Sequence, residues 1–224
     1  MIESIDNYIQ LVFLGISAGI SFYKAVVTRM RSWVLVTIFY SAFFMGSLYW
    51  QLYFALKGNV PEFYVSELSW YVSYLFLYLF LKYQKNSKTD RRPCRIKWLI
   101  PLFAGGLSIY YMTFGQIFSN LISALLMSLV AMEAVTGLYL LKDPGAEGLN
   151  ISVRMKPVYV LALVFFFLEY ALWTSSCIWQ ENSFLNPYYY IDMAISVTML
   201  RMALYIREAL KYTDAKQPAA NAVR

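Results

Sequence analysis

Seven apolar stretches, each 17 to 26 residues long and separated by short polar segments, dominate this chain. A helix rising 1.5 Å per residue needs about 20 apolar residues to cross a hydrocarbon core of roughly 30 Å. The stretches fall at 7–23, 33–56, 66–82, 98–114, 116–141, 157–179 and 187–207. With 60% hydrophobic, 14% charged residues and a mean hydropathy of +0.50, the chain lies well outside soluble globular composition, which carries about 25% charge. The expected fold is therefore all-α: a polytopic integral membrane protein with a seven-transmembrane-helix bundle over 1–212 and a polar tail at 213–224. The fourth span is short and holds Pro101, Gly105 and Gly106, and only Gly115 marks its border with the fifth.

The connecting segments alternate in charge, which fixes an expected orientation. Lys24, Arg29 and Arg31 follow the first span. Lys82, Lys85, Lys88, Arg91, Arg92, Arg95 and Lys97 follow the third, Lys142, Arg154 and Lys156 the fifth, and Arg207, Lys211, Lys216 and Arg224 the seventh. The opposite segments carry Glu3, Asp6, Glu62 and Glu181 against a single Lys57. Lys and Arg in short loops stay cytoplasmic. The amino terminus is thus expected outside, the carboxyl terminus in the cytoplasm, and the protein in the cell membrane as a multi-pass chain. The net charge of +6 is assigned to this asymmetry and to contact with anionic headgroups of the lipid bilayer, with no nucleic-acid partner. The amino terminus lacks a basic n-region and a small-residue cleavage site, so the first span is expected to be retained. Cys94 and Cys177 are expected on opposite sides, too far apart to pair.

With no histidine in the chain, imidazole catalysis, His-ligated haem and His-based zinc are excluded. No span has a central lysine for a retinal Schiff base, and no Walker loop or dinucleotide fingerprint occurs. No metal and no cofactor are expected. Asn186-Pro187-Tyr188-Tyr189-Tyr190 satisfies the NPxxY pattern of G-protein-coupled receptors, but it opens the last span at its outer end, where Asn-Pro reads as a helix start.

Polar residues inside the spans point to a site, since a charged side chain near the bilayer centre costs about 2.5–3.5 kcal/mol on insertion scales. Asp6, Gln10, Phe13, Ser17, Ser21 and Lys24 form one stripe of the first span. Glu67, Trp70, Tyr71, Tyr74 and Tyr78 do so in the third, Glu169, Trp173, Ser176, Cys177 and Gln180 in the sixth, and Tyr188, Asp192, Ser196 and Met199 in the seventh. All four stripes are expected to face inward. Depth counting puts Glu169 near mid-span, with Asp192, Glu67, Gln51, Gln10, Gln116 and Asn120 towards the outside. The expectation is an outward-facing cavity lined by Glu169, Asp192, Glu67, Trp70, Tyr71, Trp173, Gln51, Gln10, Asn120 and Tyr188, suited to a small cationic or amphipathic aromatic ligand. A carboxylate supplies counter-charge there and ring faces attract cations, at about 0.5–2 kcal/mol each. Aromatic belts at membrane interfaces account for part of the same pattern. Nearer the inside, Glu133 and Arg201 are of opposite sign and similar depth, an expected internal ion pair. Gly15 and Gly19 form a GxxxG that admits a close helix, either within the chain or in a homodimer.

Three classes of function fit. The first is a receptor or sensor, similar in layout alone to the seven-helix sensor regions fused to bacterial signalling kinases, here working through a separate cytoplasmic partner at the basic loops. The second is a small-solute transporter of 3+1+3 arrangement, although spans one to three hold no proline and 33–82 shows no similarity to 157–207. The third is an integral membrane enzyme that protonates an apolar substrate. In length and span number the chain resembles small membrane terpene cyclases, of which an acid beside a second-span tryptophan is expected; here Trp50 is followed by the amide Gln51. The resemblance implies Glu169 or Asp192 as the acid. A binding protein without enzymatic activity is the leading expectation.

Overall fold

A computed structural model describes residues 2–58, 64–84, 94–141, 152–179, 181 and 183–214. Seven α-helices make up the described residues, with no strand among them: α1 (Ile2–Thr28), α2 (Arg31–Lys57), α3 (Tyr64–Tyr83), α4 (Leu99–Met112), α5 (Ile117–Leu140), α6 (Ser152–Ile178) and α7 (Pro187–Asp214). A 3₁₀ turn, Arg95–Trp98, leads into α4. The basic positions Lys85, Lys88, Arg91, Arg92 and Lys142, the stripe member Gln180 and the tail 215–224 lie outside the described residues.

Local chemistry sets the helix ends. Gly58 takes a left-handed φ of 70° and returns its N–H to the Phe54 carbonyl at 2.9 Å, closing α2. Between α4 and α5 two consecutive left-handed residues, Gly115 (φ 108°) and Gln116 (φ 55°), reverse the chain, so the weakly marked border is a sharp turn. Asn186 caps α7: its Oδ1 accepts the Tyr188 N–H at 2.9 Å, and its amide donates to the Glu181 carbonyl at 2.9 Å. The Asn-Pro pair is thus a helix start. Pro157 differs from expectation, lying inside α6 rather than at its first position, because α6 begins at Ser152.

Four helices contain stretches long and apolar enough to cross a membrane: Ile5–Thr28, Arg31–Lys57, Ile117–Leu140 and Val153–Ile178. The other three are shorter or more polar. The exterior is apolar, with Val12, Ile16, Phe22, Leu52, Leu68, Ile109, Leu125, Phe167 and Leu204 exposed. Polar groups lie inside, among them Asp6, Gln10, Ser17 and Ser21 of the first stripe. An apolar exterior of this kind suits a hydrocarbon surrounding.

Six helices close a ring. α1 packs on α2, α2 on α3, α3 on α5, α5 on α6, α6 on α7 and α7 back on α1, while α4 packs against α5 outside the ring. Two glycines permit the closest approaches. A Cβ on Gly46 would meet Trp70 Nε1 at 2.9 Å, and one on Gly137 would stand 2.5–2.7 Å from the Tyr159 ring. The GxxxG of α1 is not used as a pair: a Cβ on Gly15 would touch Phe44 of α2 at 3.4 Å, whereas Gly19 is exposed with open space above it.

Glu133 and Arg201 are not brought together. Arg201 is exposed on α7, which packs on α6 and α1 rather than on α5, and it makes no ion pair with Glu133 among the described residues. Equal depth did not place the two on facing helices. The cysteines are both free, Cys94 buried before the 3₁₀ turn and Cys177 near the end of α6.

Candidate functional site: an acid and aromatic cavity

The ring is not filled evenly. Towards the carboxyl end of α7, Trp33, Leu77, Leu81, Val158, Phe165, Met202 and Ile206 pack into a continuous core. Towards the amino end of α1 polar and aromatic side chains face one another, and a cavity of about 150 Å³ opens between α1, α2, α3, α6 and α7. That volume matches an apolar protein cavity able to hold one benzene-sized ring. Its wall contains Asn7 and Gln10 from α1, Phe43, Ser47 and Trp50 from α2, and Trp70 and Tyr74 from α3. Glu169, Leu172, Trp173 and Ser176 come from α6, and Tyr188 and Asp192 from α7. Six aromatic rings and two carboxyls line it, and no lysine or arginine does.

Each carboxyl is held by a neighbour across a helix boundary. Gln10 Nε2 donates to Asp192 Oδ1 at 2.8 Å, tying α1 to α7, and the buried Asp6 side chain also reaches the Asp192 carboxyl. Asp6, Asp192 and Glu169 are 3%, 4% and 6% exposed, so little water reaches them. Glu169 sits opposite the Tyr74 hydroxyl. Below it Phe43, Tyr74 and Phe165 meet edge to face, with centroids 5.9–6.3 Å apart, and form the floor. Deeper still, the Tyr40 hydroxyl donates to the Met199 carbonyl at 2.8 Å and joins α2 to α7.

Of the ten ligand-binding residues expected from sequence, Gln10, Trp70, Glu169, Trp173, Tyr188 and Asp192 converge on this wall. The other four are placed elsewhere. Glu67 and Tyr71 turn to α5, where the Ser119 hydroxyl donates to Glu67 Oε1 at 2.5 Å and the Tyr71 hydroxyl donates to Glu67 Oε2 at 3.3 Å. Asn120, in the first turn of α5, donates its amide to the Gly115 carbonyl of the preceding turn at 3.0 Å. It also lines a second, smaller space of about 20 Å³ with Ser108, Tyr111, Ser123, Tyr170 and Glu169, room for one water. Gln51 is buried on α2 and lines neither space.

Glu169, Tyr74 and Trp173 border both spaces, so Glu169 stands in the partition between them. Asn7, Phe43, Ser47 and Leu172 of the wall were not foreseen from sequence. The signal available for Ser47 was the pair Gly46-Ser47, small residues inside an otherwise bulky span. Among the described residues no cluster of three or more acidic or cysteine side chains could hold a metal ion. No known family, curated protein or solved structure matches the chain.

Proposed function

We propose that this chain is a seven-span receptor or sensor of the cell membrane, amino terminus outside, which binds a small cationic or amphipathic aromatic molecule in the acid and aromatic cavity. Signalling passes to a separate cytoplasmic partner at the basic end. The observation that carries the reading is a cavity wall with two buried carboxyls, six rings and no basic side chain. Buried acids without a cation either hold protons or await a positive ligand, because an unpaired charge in a dry site costs several kcal/mol.

Besides the four long apolar helices, α3, α4 and α7 are read as the remaining crossings. α4 with its 3₁₀ lead-in spans about 29 Å, from about 2.0 Å per residue over four residues and 1.5 Å over fourteen. α7 is long, and its basic residues Arg201, Arg207 and Lys211 lie in its carboxyl half. The packed core below the cavity favours binding over passage, since a transporter must open that layer.

A thermal-shift screen of the detergent-purified protein against amines, aromatic metabolites, lipids and short peptides tests the reading, with Glu169→Gln and Asp192→Asn alongside. Cationic ligands are expected to stabilise the wild type and neither variant. Stabilisation that is the same in all three proteins would reject the site.

One observation favours a second reading. Asp192 and Glu169 are buried carboxyls at a wall rich in rings, the arrangement needed to protonate an apolar alkene and shelter the resulting cation. Turnover of a polyene in detergent, lost in Asp192→Asn, would establish it. Absence of turnover alongside amine binding would leave the receptor reading standing.

A further inference from the structure

The cavity has two unlike sides. α2 and α3 supply an unbroken run of rings, with centroids 6.3 Å apart for Trp50 and Trp70, 6.4 Å for Trp70 and Phe43, and 6.3 Å for Phe43 and Tyr74. The order of the ring sets these two helices across from α6 and α7, which bring Glu169 and Asp192 to the same space. Ring surface is left uncovered there: Trp50, Trp70 and Trp173 are half-buried, whereas Trp33 of the packed layer is 2% exposed. Hydrogen-bond acceptors, by contrast, are scarce. On the ring side the Trp70 indole nitrogen lies against the α2 backbone at Gly46, and Ser47 Oγ is shielded, so neither offers a polar atom to the space. On the acid side Asp192 Oδ1 already accepts from Gln10 at 2.8 Å, the same carboxyl meets Asp6, and Glu169 meets the Tyr74 hydroxyl.

We propose that the cavity selects a quaternary ammonium, with the methyl groups of a trimethylammonium head against Trp50, Trp70 and Trp173 and its charge balanced by Asp192 and Glu169. This selection rests on the cavity being a cation site and narrows the cation. A primary ammonium stripped of water needs an acceptor for each of its three N–H groups, and each one left unpaired costs most of a hydrogen bond. A quaternary head has no N–H to satisfy, holds its water less tightly, and is drawn to the negative faces of aromatic rings. It is comparable in size to a benzene ring, which a space of about 150 Å³ holds.

Three related probes test this: choline; ethanolamine, which is choline without its methyl groups; and 3,3-dimethylbutan-1-ol, which is choline with carbon in place of the charged nitrogen. Their affinities for the full-length protein are measured by calorimetry in a maltoside detergent, which has no choline head of its own. Choline is expected to bind at least about tenfold more tightly than either of the others. Replacing tryptophan throughout by 5-fluorotryptophan weakens the negative ring face at almost unchanged shape. That change is expected to lower choline affinity several-fold and to leave the affinity for dimethylbutanol as it was. Trp50→Phe, which keeps a ring, is expected to retain more of the choline affinity than Trp50→Leu.

Ethanolamine binding as tightly as choline, or choline affinity unchanged in the fluorinated protein, would overturn the quaternary selection. If ethanolamine then lost affinity in Asp192→Asn, the cavity would stand as a site for primary amines. Dimethylbutanol binding as tightly as choline would overturn the selection and the cation site together, leaving an apolar pocket. Binding of none of the three would overturn the selection, and phenethylamine in the same assay would then decide the cavity reading.

Discussion

At the scale of single residues the site depends on how three buried acids are held without a basic partner in the cavity wall. Asp192 is the best defined, with the Gln10 amide at 2.8 Å and Asp6 beside it. Removing that donor leaves a buried carboxyl short of a partner, so Gln10→Leu is expected to lower stability by about 1–3 kcal/mol, read from chemical unfolding in detergent. A carboxyl pairs with a cation in its ionised form, so amine affinity is expected to rise with pH through the range in which the cavity acids ionise, with a proton released on binding there, read by calorimetry in buffers of different ionisation heat. Affinity that falls as pH rises, or no proton released, would place the cation elsewhere. Six of the ten expected residues reach the cavity because charged and aromatic side chains spaced by three and four must share a face. Glu67 and Tyr71 share such a face too. What turned them aside was Ser119 on α5, a hydroxyl at 2.5 Å that no spacing within one helix can announce.

At the scale of helices, apolar length was the readable quantity, and it located every element. The ends were less uniform. Gly58 and Asn186 mark theirs by residue type, while α6 starts five residues before Pro157. Which helices touch depends on shape at the contact, and there the glycines decide. Gly137 faces the buried Tyr159 ring with no space for a methyl group. Gly137→Ala is therefore expected to cost about 1–3 kcal/mol by forcing α5 and α6 apart, whereas Gly19→Ala, facing open space, should leave the melting temperature unchanged or slightly raised. A melting comparison of the two variants checks this. Equal tolerance at both positions would mean that the α5 and α6 contact is looser than described.

At the scale of the whole molecule the ring of six helices with α4 outside it was not legible in the sequence, because seven apolar spans of similar character are compatible with many cyclic orders. The end at which the cavity opens was legible, since the polar stripes are concentrated in the half opposite the basic segments. The proposed orientation is checked by labelling with a membrane-impermeant maleimide in cells, after Cys94 and Cys177 are changed to serine. Leu185→Cys, at a position 90% exposed between α6 and α7, should label in intact cells, and Arg95→Cys only after permeabilisation. The reverse pattern would invert the protein and turn the cavity to the cytoplasm.

The cavity's charge is the claim on which the functional reading turns. The most direct measurement is the affinity of the detergent-purified protein for phenethylamine and for its neutral N-acetyl derivative, in wild type, Glu169→Gln and Asp192→Asn. The amine is expected to bind wild type, each variant to lose at least tenfold in affinity, and the amide not to bind detectably. Equal binding of amine and amide, or amine affinity unchanged in both variants, would contradict it.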